Sequence, residues 1–225
     1  MIARRLARPG VLFAISAFML ATILLAAIIL TDEVAGGNVL RDDLVVAGWV
    51  QAVTVPGVGR AVSLLNWLGS TWPLAGLTAT IAFALAARRR WAEALLLLPA
   101  LAAYAVNWLL KDVARSPRPT EDYVRISDPS AGFGFPSGHT MAMVVVAGLL
   151  IYVAWRIVER PLVRMSVQAS VVLLVAGMGF SRVYSGAHWP SDVLGGLLWG
   201  SFYTALIVAV FHYWATRRQA TENGG

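Results

Sequence analysis

The chain of 225 residues is 58% hydrophobic and 13% charged, with a mean hydropathy of +0.69, whereas a soluble domain runs to roughly 45–50% apolar and about 25% charged. Such apolarity excludes intrinsic disorder and argues against a soluble globule, and the lack of cysteine excludes a disulfide scaffold, a thiolate metal site and a cysteine nucleophile. A net charge of +6 and a pI near 10.3 do not point to nucleic acid, because the basic residues fall in short clusters between apolar stretches and form no continuous face.

Six apolar stretches, at residues 11–30, 68–87, 91–110, 137–155, 163–180 and 189–213, are long enough at about 1.5 Å per residue to cross, or nearly cross, a hydrocarbon layer of about 30 Å. The expected architecture is therefore all-α: a polytopic membrane helical bundle of six transmembrane helices, one domain over residues 1–225. The first stretch follows Arg4, Arg5 and Arg8. Its apolar run exceeds the roughly 7–15 residues of a signal-peptide core and no A-x-A pattern follows, so it reads as an uncleaved anchor. Between the first two stretches, Val45, Val46, Trp49, Val50 and Val53 form an apolar stripe ahead of a break at Val55-Pro56-Gly57, which predicts an interfacial amphipathic segment. Pro99 predicts a kink in the third stretch.

Orientation follows from the basic residues. With a cytoplasmic N-terminus, eleven arginines, among them Arg88 to Arg90, Arg156, Arg160, Arg164, Arg217 and Arg218, lie inside and seven basic residues outside. The bias of positive charge to cytoplasmic loops favours a multi-pass protein of the plasma (inner) membrane with both termini cytoplasmic. The outside cations run against that bias, since Lys111, Arg115, Arg118 and Arg125 crowd one connection and Arg182 begins another.

Those cations belong to three polar islands, each at an outer end of a span. The first, Lys111 to Pro119, pairs an ammonium with a guanidinium in a segment stiffened by Pro117 and Pro119. A planar fork and a compact charge together suit an anion; alone, both also read as snorkelling anchors. The second, Pro136-Ser137-Gly138-His139, opens a helix, and helix starts present unpaired N–H groups to anions. The third runs from Ser181 to Asp192 and adds Arg182, His188 and, four residues on, Asp192. That spacing lets the carboxylate hold one imidazole nitrogen and leave the other basic, as in a catalytic triad. If the bundle brings the islands together, ionisable groups of this kind near a membrane interior mark function. His212 lies at the opposite end of its span and takes no role, and the Gly196-x-x-x-Gly200 pair reads as helix packing within the chain before it reads as a dimer contact.

Read in order, the islands are K-x6-R-P, P-S-G-H and S-R-x5-H-x3-D, carried by Lys111, Arg118, Pro119, Pro136 to His139, Ser181, Arg182, His188 and Asp192. This resembles the signature of the type 2 phosphatidic acid phosphatase family, whose site is shared by vanadium-dependent haloperoxidases; the membrane spans argue against the latter. The resemblance implies a lipid phosphate phosphatase that needs no metal or other cofactor. In it His188 is the nucleophile that forms a phosphohistidine, Asp192 fixes its tautomer, and His139 is the general acid. Lys111, Arg118, Arg182, Ser137 and the Gly138 amide hold the phosphoryl oxygens. Implied partners are a lipid phosphate or diphosphate, such as phosphatidic acid, phosphatidylglycerophosphate or undecaprenyl diphosphate, and the surrounding membrane lipids. The site is expected on the extracytoplasmic side, with the loop 120–135, bearing Glu121, Asp122, Tyr123, Phe133 and Phe135, as its selectivity element. A vanadate-dependent peroxidase would consume peroxide and halide, and a flippase would bind the same anion without cleaving it. The sequence does not define an oligomeric state.

Overall fold

In the computed structural model, residues 9–37 and 39–222 are described, and among them all regular structure is helical. Arg4, Arg5 and Arg8, part of the orientation argument, lie outside the described residues, as do the side chains of Arg217 and Arg218. The chain is a multi-pass membrane protein: five helices are long and apolar enough to cross a bilayer, and six if one bent pair counts as a span.

Helix α1 (Pro9–Val34) is apolar on every side, as lipid demands, and exposes Phe13 and Phe18 while burying Ala27 and Val34. It lies along α9 (Pro190–Glu222), where the Trp199 indole donates to Thr31 Oγ1 at 3.1 Å. Helix α2 (Arg41–Gln51) is the amphipathic segment, but its buried positions are Asp43 and Ala47, while Val45 and Trp49 of the apolar stripe face outward. Val45 and Trp49 are thus free for the membrane, while Val50 of the same stripe packs against the buried cluster of Ala47, Val124, Val183 and Trp189.

Helices α3 (Val58–Leu68) and α4 (Thr71–Ala87) meet at 66° around Gly69 and Ser70. The span predicted at 68–87 accordingly begins at Thr71, and its approach is a separate helix packed on α8 (Pro161–Tyr184). Pro99 does break the third span: α5 (Trp91–Leu97) passes through a 3-10 turn (Leu98–Ala102) into α6 (Ala103–Ala114). Tyr203 donates its hydroxyl to the Pro99 carbonyl at 3.1 Å, satisfying a backbone group inside the membrane layer.

Helix α7 (Gly138–Ile157) is the central element, with Met141, Val145 and Leu149 fully buried. It packs closely on α9 because Gly196 and Gly200 lie against it: a Cβ at Gly196 would stand 2.9 Å from the Ser137 carbonyl oxygen, and one at Gly200 3.0 Å from that of Met141. At the end of α7 away from Gly138, Arg156 pairs with Glu93 at 3.2 Å. The other end gathers the start of α7, the ends of α6 and α8 and the start of α9, and there the three polar islands converge.

Candidate active site

His188 sits in the turn between α8 and α9, and both it and Asp192 are buried. Gly186 makes this turn possible, with φ +70° and the Arg125 carbonyl lying where a side chain would go. Asp192, in the first turn of α9, accepts from His188 Nδ1 and from the Trp189 backbone N–H, both at 3.0 Å. On the other side of the ring, Arg118 Nη1 stands 3.2 Å from Nε2. A guanidinium has no lone pair, so Nε2 must be the acceptor and the ring proton must lie on Nδ1, toward Asp192. Burial pushes the imidazole well below the usual histidine range, and the neighbouring Arg118, Lys111 and Arg182 push the same way. The ring is therefore neutral and oriented, with its lone pair at Nε2.

The cations are held by backbone carbonyls. Arg118 donates through Nε to Gly132 O at 3.0 Å and through Nη1 to Ala187 O at 2.7 Å. Lys111 donates to Phe133 O at 2.6 Å and Gly134 O at 2.7 Å. Both thereby tether the loop that leads into Pro136-Ser137-Gly138-His139. The Ser137 backbone N–H donates to Asp192 O at 2.9 Å, joining the second island to the third. The Ser137 hydroxyl makes no cap bond and instead accepts from Thr140 Oγ1 at 3.1 Å. Gly138 lies against Asn107, whose amide donates to Pro136 O at 3.0 Å.

Arg182 is 1% exposed, and its Nη1 donates to Asp128 Oδ2 at 2.8 Å. Asp128 Oδ2 also accepts from Asn66 Nδ2 at 3.1 Å. His139 is half-buried, lies against the Asn66 backbone and opens onto a cavity of about 650 Å³, which Arg182, Asp128 and Asn66 also line. His188 is not among the residues lining that cavity. All eight residues singled out in the sequence thus lie at one end of the bundle, with His139 and Arg182 at the cavity wall. Among the described residues, no three His, Asp or Glu side chains are grouped to hold a metal ion.

Sequence reasoning missed Asp128, Asn66, Asp43 and Gln51. Asp43 of α2 accepts from Ser191 N and Ser191 Oγ, each at 2.7 Å, next to Asp192. Gln51 donates to Arg125 O at 2.8 Å and accepts from Arg125 N at 3.0 Å. Of the residues named in the loop 120–135, Glu121 and Asp122 are exposed, Tyr123 packs edge-on against Trp189 at 6.3 Å, and Phe135 is wholly buried. The cavity is lined by Ser127, Asp128 and Ser130 of that loop.

The stretch that carries the three polar islands is also the one that matches known proteins. A family model described as the PAP2 superfamily matches residues 91–217, more than half of the chain. Lipid phosphate phosphatase delta of Arabidopsis thaliana is 33% identical over 130 residues, which cover 54% of this chain and 31% of that protein. Phosphatidylglycerophosphatase B of Bacillus subtilis (strain 168) is 33% identical over 118 residues, covering 50% of this chain and 55% of its own length. The matches therefore span only about a third to a half of these relatives. The crystal structure of a transmembrane PAP2-type phosphatidylglycerolphosphate phosphatase from Bacillus subtilis aligns with a TM-score of 0.76, over 86% of this chain and 96% of that one, at 23% identity. That likeness is one of fold.

Proposed function

The chain belongs to the PAP2 superfamily, and on that premise we propose that it is a membrane lipid phosphatase that hydrolyses a lipid phosphate or diphosphate through a phosphohistidine, without a metal. The observation that carries this reading is the hold on His188 at both nitrogens, Nδ1 by Asp192 at 3.0 Å and Nε2 by a guanidinium at 3.2 Å. An imidazole prepared in this way beside fixed cations is a nucleophile facing an anion site.

In the reaction, phosphoryl oxygens are held by Lys111, Arg118 and Arg182, by the Ser137 hydroxyl and by the Gly138 amide. Arg182 has a buried Nε that makes no hydrogen bond among the described residues, so it offers a donor to a phosphoryl oxygen while Nη1 stays on Asp128. Nε2 of His188 bonds to phosphorus as the bond to the leaving oxygen breaks, and His139 gives that oxygen its proton. Asp192 stabilises the charge that develops on the His188 ring. His139, now neutral, takes a proton from water as the water oxygen attacks phosphorus. The N–P bond breaks, inorganic phosphate leaves and both histidines return to their starting states. The site faces the extracytoplasmic side and both termini face the cytoplasm. A headgroup enters laterally while its tail stays in the bilayer.

Phosphate release from a panel of purified lipid phosphates in the presence of EDTA tests this, with the His188→Ala variant as control. Turnover that survives the chelator and vanishes in the variant, together with loss of an acid-labile phosphoenzyme, is the expected outcome. Unchanged release by His188→Ala, or release abolished by EDTA, overturns it.

A further inference from the structure

The elbow between α3 and α4 carries none of the three polar islands, yet it meets His139 at two points. The first is a backbone group. Gly69 N donates to Leu65 O at 2.9 Å and closes α3, but Ser70 N turns back to Trp67 O at 3.1 Å, so the Asn66 carbonyl lacks the donor that a continued helix would supply. His139 lies against that backbone, where the carbonyl is the group able to accept from an imidazole N–H.

The second point is Gly69. A Cβ there would overlap the end of Met178 and stand 3.1 Å from His139 Cδ2. The methionine end is flexible and can yield, whereas the imidazole is a rigid ring set on α7, so glycine lets the elbow approach the ring edge. What holds the elbow comes from another helix. Pro73, four residues on, has no N–H to give the Gly69 carbonyl. Tyr104 of α6 supplies a donor instead, its hydroxyl lying 2.5 Å from Gly69 O and beside the Thr71 side chain. That bond satisfies a backbone group in an apolar layer, and it also fixes the residue that touches the His139 ring.

We propose that this elbow positions the general acid: Tyr104 fixes Gly69, and Gly69 together with the Asn66 carbonyl sets where the His139 ring stands relative to the leaving oxygen. The assignment rests on the phosphatase reading above and deepens it by adding Gly69 and Tyr104 as positioning residues. Both come from outside the three polar islands, and both act through His139.

A misplaced acid costs most where the leaving group needs a proton. The experiment measures kcat/KM in mixed micelles for an alkyl phosphate and a chain-matched alkylnitrophenyl phosphate, with the full chain and its Gly69→Ala, Tyr104→Phe and His139→Ala variants. This quantity ends with release of the first product and so leaves out hydrolysis of the phosphoenzyme. Gly69→Ala and Tyr104→Phe are each expected to lower it at least about tenfold on the alkyl ester, a part of the roughly 10²–10⁴-fold that a positioned acid contributes, and by less than about twofold on the nitrophenyl ester, whose leaving group departs as a stable anion. His139→Ala is expected to show the same split on a larger scale. Equal losses on the two esters mean a merely structural role and overturn the proposal, as does an unchanged alkyl-ester value in Tyr104→Phe, which keeps the ring, removes only the hydroxyl and decides the matter if Gly69→Ala does not fold. Equal losses in His139→Ala remove the general-acid role and the elbow's with it, and leave the phosphatase standing. No release by the wild type from either ester or from the lipid panel overturns the phosphatase reading itself.

Discussion

At the scale of single residues, the distinction that matters is between groups whose partners are near in sequence and those whose partners are far. His188 and Asp192 are four positions apart and touch as that spacing predicts. Lys111, Arg118 and Arg182 were legible because a cation in an apolar chain is costly and needs a reason. Asp128 sits 54 residues from Arg182, and Asp43 is 148 from Ser191. No local pattern announces such pairs. The hold on His188 carries a pH dependence of definite sign. Burial and the surrounding cations disfavour the imidazolium, so the ring stays neutral below the ordinary histidine value of about 6.5. The acid limb of kcat/KM assigned to His188 therefore falls below about pH 6.5. Arg118→Gln removes the cation beside Nε2, raises the ring's proton affinity and moves that limb to higher pH. Arg118→Lys keeps the charge but loses the fork that spans Gly132, Ala187 and the ring, and a fall of about 10- to 100-fold in kcat/KM is expected. Rate profiles over pH 4 to 9 for the three proteins check both outcomes.

At the scale of elements, the apolar stretches gave most helices to within a few residues, and Pro99 marked its break. The bend at Gly69 and Ser70 was not legible. The span is expected to begin at 68 and the residues before it read as connection, whereas they form helix α3, and a distant partner helps fix the bend: Tyr104 donates to the Gly69 carbonyl at 2.5 Å. Helix α2 is the other case. Its stripe was read correctly as apolar, yet the working face is the polar one, where Asp43 satisfies Ser191 at the start of α9. Asp43→Ala leaves a buried N–H and hydroxyl unpaired, so a loss of about 1–3 kcal/mol is expected, and Asp43→Asn, which keeps an acceptor for the N–H, costs less. The same helix start carries Asp192, so catalysis should fall alongside. Gly196→Ala forces α9 off α7, with an expected cost of about 1–3 kcal/mol from overpacking. Thermal unfolding in detergent measures all three. Because Gly196 and Gly200 face α7, this pair is spent inside the chain.

At the scale of the whole molecule, charge is divided between two ends of one bundle. One end carries the Arg88 to Arg90 turn and the Glu93–Arg156 pair, and the other the end of α6, the start of α7 and the site. The uncompensated arginines of the first end suit the cytoplasmic leaflet, whereas the cations of the second are tied to carbonyls and to Asp128 and so give no comparable signal. The orientation proposed above depends on that inequality, and on α3 and α4 together making one crossing. The chain has no cysteine, which makes a direct measurement simple. A single cysteine at exposed Glu121 is expected to react with a membrane-impermeant maleimide in intact cells, and one at exposed Arg88 only after permeabilisation. The reverse pattern turns the site toward the cytoplasm and makes the Arg88 to Arg90 cluster an outside one. Labelling of both from outside means that the broken third span, α5 through α6, does not carry the chain across between Arg88 and Glu121, and the six-span path fails with it.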